Sequence, residues 1–363
     1  MAWYNASWSY RVKVTVLNTR VDADLTDFPV YVDLSTLPAG FHTNVNQTDG
    51  RDIRVTKADG TTEVPREVVA YVSALDTGEL HFKGDVLNST DVDFYIYYGN
   101  AGATEPAVGA TFGRNAVWSN GYQAVFHLQE DPTISAPQFP DSSGNGRNLT
   151  AEGSMTSGDS VAGKLAGNAI DFDGSNDALR NSGWTWGGNA VTLSGWNKSR
   201  SPAVASSWVG FASSGDRFST HAPWSDSVLY WDYGGAGGTG RISTSYASYI
   251  GAWTYITLVS SGSANTLRGI YLNGSLITSI AGSLQPTSPS NFSIGNTVSN
   301  FNNGEVDEVR IADGVRTATW ISTEYNNQNS PATFFTIGSQ EIDTVITTIT
   351  GIVSITGLLS ITL

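Results

Sequence analysis

Short stretches of alternating apolar and polar residues, broken every few positions by glycine, aspartate or asparagine, recur along this chain and leave almost no room for a long helix. Tyr10, Val12, Val14 and Val16 fall on one side of a segment whose other side carries Arg11, Lys13 and Thr15, the period of two that marks a half-buried strand. Asp27-Phe28-Pro29-Val30-Tyr31-Val32 reads as a second strand, and Asp49-Gly50-Arg51-Asp52 as a turn leading into Ile53-Arg54-Val55. Ala58-Asp59-Gly60-Thr61 is a tight-turn signal,. An aromatic strand, Val92 to Tyr98, is stopped by Gly99-Asn100. Glycine, serine, threonine and aromatics are abundant, so the expected class is all-β.

Residues 99–113 (GNAGATEPAVGATFG) thin to the composition of a linker,. They divide the chain into an N-terminal β domain, residues 1–108, and a larger β domain, residues 109–341. Strands are expected in the second block at 123–128, 168–172, 191–196, 227–231, 253–260, 268–272, 291–294 and 305–311. One helix is expected near Thr317–Asn326, with Trp320, Ile321 and Tyr325 docking one face. At 363 residues the chain has room for two such cores,.

The last segment, residues 342–363, is different in kind. Ile346, Ile349, Ile352, Ile355, Leu358 and Ile361 recur at every third position in a stretch without charge. That period belongs neither to a flat strand nor to an amphipathic helix; it describes a chain that winds as it extends. A β-branched segment with no proline and no charge would template aggregation as a free edge, so partner strands are expected. The tail therefore reads as an assembly element that associates with the same segment of other copies, three by its period, or with a neighbouring particle protein. Two alternatives stand beside it, a membrane anchor and a last strand of the chain's own sandwich. Five threonines, two serines and two glycines dilute the first,.

A net charge of −14 with only five lysines excludes a nucleic-acid or anionic-membrane surface, because phosphate binding needs clustered Lys and Arg. No cysteine is present, which removes disulfides, thiolate metal sites and cysteine nucleophiles. The opening MAWYNASWSYRVKVTV has neither the basic segment nor the apolar run of a secretory signal,.

Several motifs carry a family resemblance. WSYRVKVTV, LTDFPVYVDL, DGRDIRVTKADGT and FYIYYGN resemble an uncharacterised β-sandwich family that commonly precedes laminin-G-like modules. AVFHLQE, DSSGNGRNLT, AIDFDGSNDAL, GAWTYITLV, IYLNGSLI, FSIGN and GEVDEVRIADGVRT resemble the concanavalin A-like, laminin-G-like superfamily. TATWISTEYNNQNSPATFFTIGSQE is similar to the segment closing this pairing in surface and phage-particle proteins. The resemblance spans nearly all of residues 3–341 and implies two β-sandwiches, the second a concanavalin A-like jelly roll. It leaves activity open, since that superfamily hosts lectins, adhesion modules, hydrolases and inert structural domains.

Concanavalin A-like glycosidases place carboxylates at i, i+2 and i+4 of one strand. Here the nearest match is Glu305-Val306-Asp307-Glu308-Val309, where Val309 stands in the third place and Glu308 points away unless a bulge intervenes,. His42, His81, His127 and His221 are scattered and form no metal-ligand pair at i, i+2 or i, i+4 spacing,. No G-x-S-x-G elbow is present. Calcium is the expected cofactor: Asp141-Ser142-Ser143-Gly144-Asn145-Gly146 concentrates oxygen donors,, and the resemblance implies a set of Asp141, Asn145, Asp307 and Glu305. The alternative is a glycine-rich turn capped by Asp141. Trp184 and Trp186, in NSGWTWGGN, are the candidates for stacking on sugar rings, against the alternative of core packing,.

The resulting expectation is a non-enzymatic structural and adhesion protein of a bacteriophage-type virion. It would be a capsid decoration protein, head fibre or tail-fibre component at the virion surface, and a host-surface glycan is its expected ligand. A free carbohydrate-binding module and a glycan hydrolase or lyase are the alternatives.

Overall fold

The computed structural model describes residues 2–188, 190–211, 216–281, 285–297 and 300–343. The six aliphatic residues of the expected assembly tail, 346–361, lie outside the described residues.

The alternation at the N-terminus folds as read: in strand Tyr10–Val16, Val12, Val14 and Val16 are buried. This strand pairs antiparallel with Val92–Tyr98, Tyr10 opposite Tyr98 and Val16 opposite Val92. Strands Arg54–Lys57 and Glu63–Val64 extend the sheet on that side. A second sheet of three strands, in the order Leu25–Asp33, Thr77–Val86, Arg66–Val72, packs over the first. Val30, Val32, Leu80 and Phe82 point inward to the shared core. By the period of two, Tyr31, Glu79 and His81 point to the opposite face.

The fifth strand of the first sheet comes from the far end of the chain. Phe335–Ile342 pairs with Tyr10–Val16, Phe335 opposite Val16 and Ile342 opposite Tyr10. Trp320, Phe334 and Phe335 join the first core, with Trp320 edge-on to Phe28 at 5.2 Å. The expected boundary at 341 therefore does not describe the topology: after strand Asn303–Asp313 the chain returns to the first domain. The expected helix forms as Ala318–Asn329, with Thr317 accepting a hydrogen bond from Trp320 N at its N-cap,. Asn327 on this helix accepts from Tyr31 N at 2.7 Å and donates to Tyr31 O at 2.8 Å, so a side-chain amide satisfies that part of the edge strand Leu25–Asp33.

The second domain is a sandwich of two large sheets. One runs in the order Ser160–Ala162, Asn168–Asp173, Asn303–Asp313, Val191–Ser199, Thr254–Ser260, Arg268–Leu272, Ser275–Ile280, with Tyr122–Phe126 also paired to Asn303–Asp313. The other runs Arg241–Ser245, Val228–Tyr233, Phe218–His221, Ser207–Phe211, Ser290–Ile294, Ala178–Thr185, Thr150–Glu152. Between them lies an apolar core that includes Phe126, Leu193, Trp208, Phe211, Trp231, Phe292 and Val309.

The linker is not a free tether. Arg54 donates to Thr104 O at 2.7 Å, and Arg66 grips Glu105 through two nitrogens. No helix among the described residues is long and apolar enough to cross a membrane.

Candidate functional site

Polar faces of the two domains meet in a buried layer. Glu79 and His81 alternate with the core residues Leu80 and Phe82 on one strand, and Glu67 stands on the neighbouring strand Arg66–Val72. From the second domain, Val125 and His127 alternate with Ala124, Phe126 and Leu128. The last contribution depends on an irregularity in strand Asn303–Asp313. Val306 and Val309 both enter the core, the two intervening residues Asp307 and Glu308 lie outside it, and Glu308 takes the left-handed φ of 52°. The register against Val191–Ser199 slips at the same place, Asp307 standing opposite Trp196 but Arg310 opposite Ser194. This bulge gives the strand two consecutive carboxylates on its outer face.

His127 is the hub. Its Nδ1 contacts Glu308 Oε1 and lies 3.5 Å from Glu79 Oε1, while its Nε2 is 3.2 Å from Glu67 Oε2. His81 Nε2 is 2.8 Å from Glu79 Oε1, and the two imidazoles stack at 5.2 Å. Glu308 Oε2 accepts from Arg310 at 2.6 and 3.1 Å, and Arg310 reaches Glu324 Oε1 at 2.8 Å. Trp118 Nε1 and Ser142 Oγ donate to Glu67 at 2.6 and 2.7 Å, and Gln129 donates to Glu79 Oε2 at 3.3 Å. Glu79, His81, His127 and Glu308 each turn one ligand-type atom inward, all within 4.8 Å of one another.

Burial and charge set the protonation. Burial, then the facing Glu308 charge, pushes the Glu79 carboxyl well above the usual carboxylate range. Burial followed by Glu308 moves Asp307 up to about 8. For Glu308 and Glu67 burial acts upward, but the pull of His127, with Arg310 or the Trp118 and Ser142 hydrogen bonds, outweighs it and keeps both low. Burial opposes charging of His127 too, and Glu308 and Glu67 reverse that, raising it well above an ordinary histidine. His81, where burial dominates, is held neutral, its pKa well below the ordinary value.

A cleft of about 370 Å³ opens from this layer to solvent. Glu67 and His127 lie at its wall, with Arg51, Tyr71, Glu105, Arg114 and Glu130 also lining it. Burial pushes the half-buried Glu130 carboxyl up to about 7.

Of the residues nominated from sequence, Asp307 alone belongs to this layer, beside Glu308 on the bulged strand. Asp141 accepts from the backbone N–H groups of Val125, Ser143 and Arg147, and Asn145 donates to the carbonyls of Tyr122 and Gln123. The loop therefore satisfies itself as a turn. Glu305 pairs with Lys198 at 2.9 Å, and Asp307 accepts from the N–H groups of Lys164 and Leu165. Among the described residues, Asp141, Glu305 and Asp307 do not converge on one point, so the expected calcium set is not assembled. Trp184 and Trp186 are 6 % and 3 % exposed, and Trp184 packs against Phe211 and Phe292. Their faces are spent on the core rather than offered to a sugar. The cluster that does form contains two of the histidines set aside as scattered. Its one local signal was Glu79-Leu80-His81, a carboxylate and an imidazole at i, i+2 on a strand.

Residues 173–322 match the family model Laminin_G_3, described as the concanavalin A-like lectin/glucanases superfamily. No curated protein sequence matches the chain. Similar solved structures include the receptor-binding domain of botulinum neurotoxin C/D mosaic serotype (11 % identity, TM-score 0.44) and the binding domain of serotype D (10 %, 0.46). The binding domain of botulinum neurotoxin DC in complex with SialylT is a third (13 %, 0.45). In each comparison 58 % of this chain is covered, and the chain spans about half, 52 %, of the other. The sandwich of two large sheets that packs behind the junction is thus a concanavalin A-like domain.

Proposed function

We propose that the protein is a non-catalytic adhesion protein of a virion surface, which holds a host glycan in the interdomain cleft. The observation that carries this reading is the cleft itself. Its volume lies in the range of ligand sites, and its lining mixes two guanidinium groups, Arg51 and Arg114, with the carboxylates of Glu105 and Glu130 and the ring of Tyr71. Such a set offers both donors and acceptors to a polyhydroxylated ligand. The lectin-type family match of the second domain favours the same class of ligand.

Hydrolysis is the second reading, favoured by Glu130, whose pKa of about 7 suits a general acid,. It needs a second carboxylate free to act on the sugar or on water. Glu67 is a poor candidate because both of its oxygens already accept hydrogen bonds, from Trp118 and from Ser142. The tail supports the particle-bound part of the reading. Residues 344–363 follow strand Phe335–Ile342 of the first domain, and Asp343 N is bonded to Ser9 O at 3.1 Å. Attachment to the particle through that segment is part of the same proposal.

The test is titration calorimetry of host-surface polysaccharide fragments into the full chain, with reducing ends assayed in parallel. Saturable binding, weakened tenfold or more in Arg114→Ala without a change in melting temperature, is the expected result. Turnover of the polysaccharide, or binding indifferent to Arg114, contradicts it.

A further inference from the structure

We propose that Glu79, His81, His127 and Glu308 form a four-coordinate site for a zinc-type divalent transition ion, which staples the N-terminal sandwich to the concanavalin A-like domain. Two ligands come from one strand of the first domain, and two from separate segments of the second.

The donor set is two imidazole nitrogens and two carboxylate oxygens, the mixture that zinc takes in tetrahedral sites, whereas calcium takes six to eight oxygens. In a tetrahedron with metal–ligand bonds of about 2.0–2.1 Å, ligand atoms stand roughly 3.3 Å apart. The atoms here already lie within 4.8 Å, with separations of 2.8 Å for His81 to Glu79 and 3.5 Å for His127 to Glu79.

At three of the four ligands the outer contacts have the form that orients metal ligands, while His81 Nδ1 has no hydrogen-bond partner among the described residues. Histidine ligands donate their second N–H to a carboxylate or carbonyl, which fixes the ring and its tautomer. His127 presents Nδ1 to the centre and Nε2 to Glu67 Oε2, which is itself fixed by Trp118. Each carboxylate keeps one oxygen for the centre and has the other held from behind, Glu308 by Arg310 and Glu79 by Gln129.

Charge points the same way independently of the geometry. Glu67, Glu79, Asp307, Glu308 and Glu324 are all 5 % exposed or less, and the cations buried with them are Arg310 and the imidazolium of His127. Lys164 lies nearby, but its ammonium is directed to Asn329 O and the Trp196 ring. A buried excess of carboxyl groups is expensive to ionise unless a cation matches it, and a divalent ion at the four-atom centre would do so.

The test uses the full chain, purified without a histidine tag. After incubation with Zn²⁺ or Ca²⁺ and desalting, metal content is measured by elemental mass spectrometry. One zinc per chain and no retained calcium are expected, as are the visible d–d bands of tetrahedral Co²⁺ when cobalt replaces zinc. Chelation should lower the melting temperature, and zinc should restore it. Glu79→Gln, which removes a charge while keeping the side-chain shape, should abolish stoichiometric uptake. Glu67→Gln, which does not touch the ion, should weaken zinc by roughly ten- to a hundredfold. Less than a tenth of an equivalent of zinc in the wild-type protein overturns the proposal and leaves direct His–Glu ion pairs as the whole junction. Wild-type stoichiometry in Glu79→Gln overturns it too, and the wild-type measurement decides even if a variant fails to fold.

Discussion

Two interiors of this molecule hold equally buried side chains and are differently made. Inside the concanavalin A-like sandwich, Trp208, Phe211, Trp231 and Phe292 are fully buried among other apolar groups. Their stabilisation scales with the area removed from water and hardly depends on direction. Between the domains, Glu79, His81, Glu308 and Arg310 are just as buried, but each is useful only while its partners stay at hydrogen-bond distance, because the desolvation of a lone charge exceeds what packing returns. The first interior tolerates rearrangement and the second enforces one docking geometry.

The difference can be broken by substitution. Trp208→Ala should destabilise the protein by about 3–5 kcal/mol, the usual cost of truncating a fully buried aromatic. Arg310→Met should cost a similar amount, about 3–5 kcal/mol, by leaving Glu308 and Glu324 buried with a partner missing,. Urea denaturation of a second variant separates the two cases. Adding Glu324→Leu to Arg310→Met should recover part of the loss by removing an unpaired charge, whereas truncating Phe211 on top of Trp208→Ala should deepen it. Recovery in neither pair would mean that the junction behaves as ordinary packing.

Histidines sharpen the same contrast. Outside the junction, burial pushes His221 down to about 4, so it is neutral in the fold. Its unfolded form takes a proton near pH 6.5, so its contribution is fully present above that value and is lost as pH falls from about 6.5 to about 4. The full effect is about 3 kcal/mol. His221→Asn should flatten the acid limb of a stability–pH curve over that window, and an unchanged slope would contradict the assignment. The smallest effect is expected at the helix that spans both interiors, where Trp320 enters the first core and Glu324 the junction. Thr317→Ala removes its N-cap and should cost about 1 kcal/mol,.

What was legible in the sequence divides along the same line. Alternation located Tyr10–Val16 and Val92–Tyr98, and the pattern at 268–272 matches strand Arg268–Leu272. These segments show their inner faces through local apolar periodicity. The return of Phe335–Ile342 to Tyr10–Val16 was hidden because strand pairing across more than three hundred residues leaves no local mark. Glu308 was readable only on condition of a bulge, and the bulge is a backbone event at φ 52°. Glu79 and His81 looked like the wet side of a half-exposed strand, since sequence does not say that a second domain covers that side. Trp184 and Trp186 sit among small polar residues that suggest a loop, yet strand Ala178–Thr185 carries Trp184 directly into the core.

The central claim is that the polar junction makes two sandwiches into one cooperative body. Scanning calorimetry of the full chain tests it most directly. One transition is predicted for the wild-type protein, with calorimetric and van't Hoff enthalpies in agreement, and Arg310→Met should split it into two. Two separate transitions in the wild-type protein, or a single transition that survives Arg310→Met unchanged, would contradict the account.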